Sequence, residues 1–158
     1  MAEDYGVTMV VMSGDMDKTF AAFSIAIGSA AAGKKTSMFF TFWGVKALQK
    51  GNLTGNSFFG KMMGLMNRGG INRIGPSRFN FGGIGRWMFK KMMKAHNVTS
   101  LEELRQTAID LGVELLPCQV SMEVMEIKME DLIPGVAEPC GVAAMLEKAF
   151  ASKATFFI

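Results

Sequence analysis

Apolar positions in this chain follow two rhythms. VTMVVMS (residues 7–13) is a short unbroken apolar run rich in valine, the pattern of a strand covered on both faces of a parallel sheet. GDMDKT then turns the chain and offers Asp15 or Asp17 as a helix cap. FAAFSIAIGSAAAG (residues 20–33) is rich in alanine and stops at Gly33, which predicts a closely packed helix ended by glycine. KKTSMFFTFWGV (residues 34–45) is strand-like again, with Thr, Phe and Trp favouring a pleated surface. Strand, helix and strand within about 40 residues predict a βαβ unit, and such units build parallel sheets with a right-handed crossover.

The alternation breaks between about residues 50 and 97. GVKALQKG offers a short helical start, and a glycine-, methionine- and arginine-rich passage follows that behaves as an insertion. Within it Trp87, Met88, Phe89, Met92 and Met93 suit the apolar side of a helix whose other side carries Lys90, Lys91 and Lys94. A methionine stripe at helical spacing is more often packing than a cofactor site. An amphipathic lid or a subunit-contact element is therefore expected here, with membrane-surface binding as the lesser alternative. After it, TSLEELRQTAIDLG predicts a helix capped by Thr99 or Ser100, with Glu102 and Glu103 in its first turn and Gly112 at its end. VELLPC (residues 113–118) reads as a strand, SMEVMEI (residues 121–127) as a short helix with Ser121 as cap, and residues 135–138 as at most a short strand. VAAMLEKAFAS predicts a helix and ATFFI a terminal strand. Together these elements predict an α/β fold of flavodoxin-like or Rossmann-like type: an open, mostly parallel sheet with helices on both faces.

Composition narrows the class. The 158 residues, 49% of them apolar, suffice for one domain with a substantial core, so residues 1–158 are expected to form a single domain carrying the basic insertion. Two cysteines are too few for a disulfide framework, and MAEDYG is too polar to open a signal peptide, which together point to the reducing cytoplasm. No stretch reaches the roughly 18 apolar residues of a membrane-spanning helix. The net charge of +3 is modest, but no acidic residue falls between Asp17 and Glu102, where the lysines and arginines concentrate. That asymmetry suits an anionic partner or a membrane surface, and equally a solvated basic face. Neither it nor any motif calls for a nucleic-acid partner.

The candidate chemistry lies in thiols. Cys118 falls where a strand ends and a helix begins, the edge at which open parallel sheets place their sites. The N–H groups and positive dipole end of the following helix would favour thiolate over thiol there. The alternative is a small buried residue that merely continues the strand. Cys140, after Pro139, is a candidate second thiol, or a small residue packed beside Gly141. SGDMDKT lacks the glycine that a phosphate-binding loop needs before its lysine, and GGIGRW follows no convincing strand, so neither supports a nucleotide site. His96 is the only histidine and has no ligand-like neighbours, which argues against a metal.

On VVMSGDMDK, FFTFWGVKAL, MMGLMNRGG, FNFGGIGRWMFKKMMK and above all SLEELRQTAIDLGVELLPCQVSMEVMEI, the chain resembles the DsrE/DsrF-like family of small sulfur-handling proteins, in its methionine-rich branch. The resemblance runs from about Val7 to the C-terminus. It implies a flavodoxin-type fold, assembly into a homo-oligomer, no cofactor, and a cysteine after a central strand that corresponds to Cys118. It further implies that Cys118 takes sulfane sulfur from a donor protein, holds it as a persulfide and passes it to an acceptor protein, as a sulfurtransferase or carrier in the cytoplasm. Cys140 has no counterpart in the family motif. Two other readings stay open on the residues alone: an oligomeric interaction module with inert thiols, and a thiol-disulfide redox protein using Cys118 and Cys140. The basic, methionine-rich segment would allow peripheral membrane contact.

Overall fold

The computed structural model describes residues 5–158. Residues 1–4, which open the stretch that argues against a signal peptide, lie outside it. Four strands, β1 (Tyr5–Val11), β2 (Lys35–Phe40), β3 (Glu114–Pro117) and β4 (Ser152–Phe157), form one sheet in the order β3-β2-β1-β4. Every pairing in it is parallel. The expected α/β architecture is therefore present. Val7, Met9 and Val11 of β1 and Met38 and Phe40 of β2 alternate onto one face. There α1 (Met16–Ala31) and α4 (Leu101–Asp110) cover them, with Phe23 and Phe40 fully buried and their ring centroids 6.0 Å apart. Each such ring contributes about 1.5–3 kcal/mol of burial free energy. The residues between, Val10 and Phe39, point to the opposite face, where Met145 of α6 (Val142–Phe150) meets them. That face is thinly covered, for α6 buries none of its own residues.

The buried hydroxyls on this second face are satisfied by each other. Thr8 and Ser37 lie 2.9 Å apart across the two central strands, and Ser152 donates to Thr8 at 2.7 Å. Unpaired, each would cost about 1–3 kcal/mol.

Several local expectations are corrected. The second strand does not run to residue 45 but stops at Phe40, because Phe42 takes a left-handed backbone (φ 44°) that a strand cannot hold. From Phe42 to Leu48 the chain coils instead as a 3-10 helix across the end of β1, with Thr41 N–H donating to Val11 O and Gly44 N–H to Met12 O. Gly44 permits this crossing, since a Cβ there would lie 2.0 Å from Val11 O. Asp15 is the N-cap of α1, yet its side chain makes no cap bond: it accepts from Ser13 and pairs with Lys18, while Asp17 accepts from Ser77. Ser100 does cap α4, in a capping box with Glu103. Residues 135–138 stay within the expected limit of at most a short strand. They contribute a bridge from Val136 to Leu115, followed by one from Cys140 to Cys118, and the lack of N–H groups at Pro134 and Pro139 prevents a continuous ladder.

Between these elements lie α2 (Phe58–Met66) and α3 (Ile84–Ala95). The apolar side expected of α3 exists, but only Met93 packs on the core, and Trp87 is 62% exposed.

Candidate functional site

Cys118 directly follows β3 and is itself the N-cap of α5 (Gln119–Val124), so the helix starts before Ser121 and Ser121 is not its cap. Its backbone continues the sheet one step further, with Cys118 N–H donating to Phe40 O at 2.8 Å. On the other side Cys140 N–H donates to Pro117 O at 3.0 Å, and Gln119 N–H to Cys140 O at 3.1 Å. The two cysteines are thus direct partners in a parallel bridge. Paired residues project to the same face of a sheet, and both thiols lie in the cluster formed by Phe39, Leu116 and Met145. Residues 22 apart in sequence become neighbours only because the chain returns beside β3.

The polar groups around Cys118 come from two loops. Ser121, in the first turn of α5, accepts Phe42 N–H at 2.9 Å and lies 3.0 Å from the Thr41 hydroxyl. Cys118 is only 5% exposed, and that burial pushes the thiol up. The Ser121 hydroxyl and N–H, the Thr41 hydroxyl and the Val120 N–H push it down and prevail, so Cys118 is held below the ordinary value. The cysteine side chain closes no cap hydrogen bond, so these donors act by facing the sulfur, not by a formal cap. Cys140 goes the other way: burial, then the neighbouring Cys118 charge, raise it, and Lys148 offsets them only in part. One thiol is disposed to ionise, and its neighbour to stay protonated.

The hydroxyls and N–H groups near the start of α5 thus favour the anionic form of Cys118, while Phe39, Leu116 and Met145 pack around it. Thr41 was not legible as a site residue, lying 77 positions before Cys118 with no motif to join them. Ser121 carried a faint signal, since a hydroxyl three residues after the cap stands in the first helical turn. His96 sits at the C-cap of α3, and among the described residues no three His, Cys, Asp or Glu side chains gather to hold a metal ion.

At the opposite end of the strands Lys148 donates to the Tyr5 hydroxyl at 2.6 Å and to Glu114 at 2.9 Å. This cluster ties α6 to the starts of β1 and β3.

The family model described as the DsrE/DsrF/DrsH-like family matches residues 4–157. A protein of Bacillus subtilis (strain 168) named "Uncharacterized protein YrkE" is 39% identical over 153 residues, spanning 96% of this chain and 95% of that one. The "Sulfur carrier protein DsrE2" of Allochromatium vinosum is 29% identical over 161 residues, 99% of each chain. Among solved structures, the ychN protein from E. coli superposes with a TM-score of 0.61 at 11% identity, over 98% of this chain and 99% of that one. MTH1491 from Methanobacterium thermoautotrophicum does so at 0.53 and 13%, over 98% and 100%. At such identities the two structures speak for the fold alone.

Proposed function

This chain belongs to the DsrE/DsrF/DrsH-like family, and on that premise we propose that it is a sulfur carrier whose Cys118 holds sulfane sulfur as a persulfide and passes it between proteins. A sulfur-relay role is supported at the level of the family, in which a relative bears the name of sulfur carrier. The observation that carries the finer reading is the pairing of opposite thiols, Cys118 held down by Ser121 and Thr41 beside Cys140 held up by burial. In the loading step Cys118 thiolate attacks the outer sulfur of a donor persulfide, and the donor cysteine leaves as thiolate. In the discharging step an acceptor thiolate attacks the outer sulfur of Cys118–S–SH, and Cys118 leaves as thiolate again. No electrons or atoms are left over.

A protonated Cys140 is a poor nucleophile. It therefore does not attack the inner sulfur and expel hydrosulfide, so the persulfide survives at neutral pH. The same bridge favours the redox protein as second reading, because an oxidant would find its two thiols already side by side. Burial of Cys118 means that loading needs a partner to dock and displace its cover; the exposed Val120 next to it offers a contact. Phe150 (83% exposed) and Phe157 (70% exposed), on the thinly covered side and edge of the sheet, support a homo-oligomer in which a second copy covers them. The same reading takes the chain as one domain at work in the cytoplasm, with residues 50–97 as its inserted contact element.

Intact-mass spectrometry after exposure to polysulfide tests the carrier. The wild type should gain one sulfur atom, removable by a reductant, and Cys118→Ala should gain none. Equal loading of Cys118→Ala, or loss of two hydrogens to a Cys118–Cys140 disulfide with no added sulfur, would count against it.

A further inference from the structure

Four cations meet around an open cleft of about 420 Å³ above the carboxyl end of β1, lined by Lys46, Arg68, Arg73 and Arg86 together with Asn67 and Asp15. They come from separate places: Lys46 from the 3-10 helix, Arg68 and Arg73 from the loop after α2, Arg86 from the first turn of α3. Among the described residues none of the four forms an ion pair. Arg68 spends Nε on Gly51 O at 2.6 Å, Arg86 donates to Arg73 O, and Lys46 donates to Asn67 Oδ1. These neutral acceptors fix the side chains without cancelling their charge. The guanidinium of Arg73 hydrogen-bonds to no described residue. Asp15, the one carboxylate in the lining, is already engaged by Ser13 and, at 3.4 Å, by Lys18. Burial pushes Lys46 below its ordinary value, and the Asp15 charge offsets this only in part.

Position adds a second argument. Gly14 and Asp15 follow β1 and Lys46 follows β2, so the cleft opens beyond the carboxyl ends of the two central strands. In open parallel sheets ligands bind beyond those strand ends. Gly82 (φ 67°) and Gly83 (φ 109°) form part of the rim, where backbone can approach a ligand without side chains intervening.

We propose that this cleft binds a phosphate-class oxyanion, tetrahedral and carrying two or more negative charges, either free or as the phosphoryl group of a small organic molecule. Planar guanidinium groups match the paired oxygens of such an anion and form charge-assisted hydrogen bonds to it. The site stands apart from Cys118, which follows β3, two strand spacings or about 10 Å from β1. It does not rest on the sulfur reading.

Isothermal titration calorimetry at low ionic strength tests it, with sodium pyrophosphate and ADP as probes of the full chain, of Cys118→Ala and of the double variant Arg73→Gln/Arg86→Gln. Wild type and Cys118→Ala should bind at least one probe alike, more weakly as salt is added. The double variant should lose affinity by about tenfold or more. Binding of pyrophosphate at least as tight as that of ADP identifies a free anion; tighter ADP identifies an organic phosphate. If neither probe binds the wild type, or the double variant binds undiminished, the proposal is overturned. Should the double variant fail to fold, amide shifts in the wild type decide: movement of Gly14 and Gly83 upon titration supports the site, and movement confined to other residues overturns it. Polysulfide loading tests the persulfide reading and anion titration tests this one, and Cys118→Ala should lose the first while keeping the second, so the two readings fail in different measurements.

Discussion

Ser121 is the residue on which the chemistry of Cys118 turns. It takes the Phe42 N–H, meets the Thr41 hydroxyl and faces the sulfur, so one side chain joins the loop after β2 to the start of α5. Ser121→Ala should raise the Cys118 thiol toward its ordinary value, because the hydroxyl that offsets burial is gone while the burial remains. The rate of alkylation against pH reads this directly, and the inflection should move to higher pH in the variant. An unmoved inflection would show that the Thr41 hydroxyl and the backbone N–H groups suffice to hold the thiol down. The same substitution leaves Phe42 N–H without its partner, which should destabilise the fold by about 1–3 kcal/mol in urea unfolding.

At the scale of elements, α2 depends on a carboxylate distant in sequence. Glu126, in the loop after α5, accepts from the Ser57 N–H at 2.8 Å and also from the Asn56 N–H and the Ser57 hydroxyl, while Ser57 caps the helix through Gly60 N–H. These donors hold Glu126 below its ordinary value of 4.5, the Ser57 hydroxyl contributing most. A carboxylate lowered by folding stabilises above its unfolded value and loses that contribution as pH falls through the folded one. Glu126→Gln should therefore free the start of α2 at neutral pH, and acid should do the same to the wild type. Amide exchange of residues 56–61 checks both: faster exchange there, with β1 and β2 unchanged, is the expected result. The helix itself was hard to read from sequence, because glycines at Gly60 and Gly64 argue for loop. Both turn out to be sites of close approach: a Cβ at Gly64 would meet Thr54 O, and one at Gly60 would displace the Glu126 carboxylate.

For the whole molecule, the apolar surface is distributed unevenly. The face under α1 and α4 is sealed, whereas the α6 side and the β4 edge leave Phe150 and Phe157 in solvent. If a second copy covers them, the wild type should sediment as an oligomer, and Phe150→Asp or Phe157→Asp should sediment as a smaller species with its far-ultraviolet circular dichroism intact. A monomeric wild type would remove the proposal of self-assembly. No helix of the described residues is long and apolar enough to cross a membrane. The apolar side of α3 is exposed as well, with Lys91 lying over the Trp87 ring at 5.0 Å.

What the chain determined by itself is whatever depends on neighbours in sequence. The valine run of β1, the alanine-rich α1, the capping box at Ser100 and the strand-to-helix step at Cys118 each rest on local backbone preference and on apolar periodicity, both of which a linear pattern displays. The length of β2 was misread because Phe42 turns aside to cross β1, a choice made by the close approach of Gly44 to Val11 O. Tertiary structure alone decided that Cys140 lies beside Cys118, that Thr41 and Ser121 meet at the sulfur, and that Lys46, Arg68, Arg73 and Arg86 share one cleft. Hydrogen bonds and charges act over a few ångströms of space, and distance along the chain does not record which residues the sheet brings within that reach.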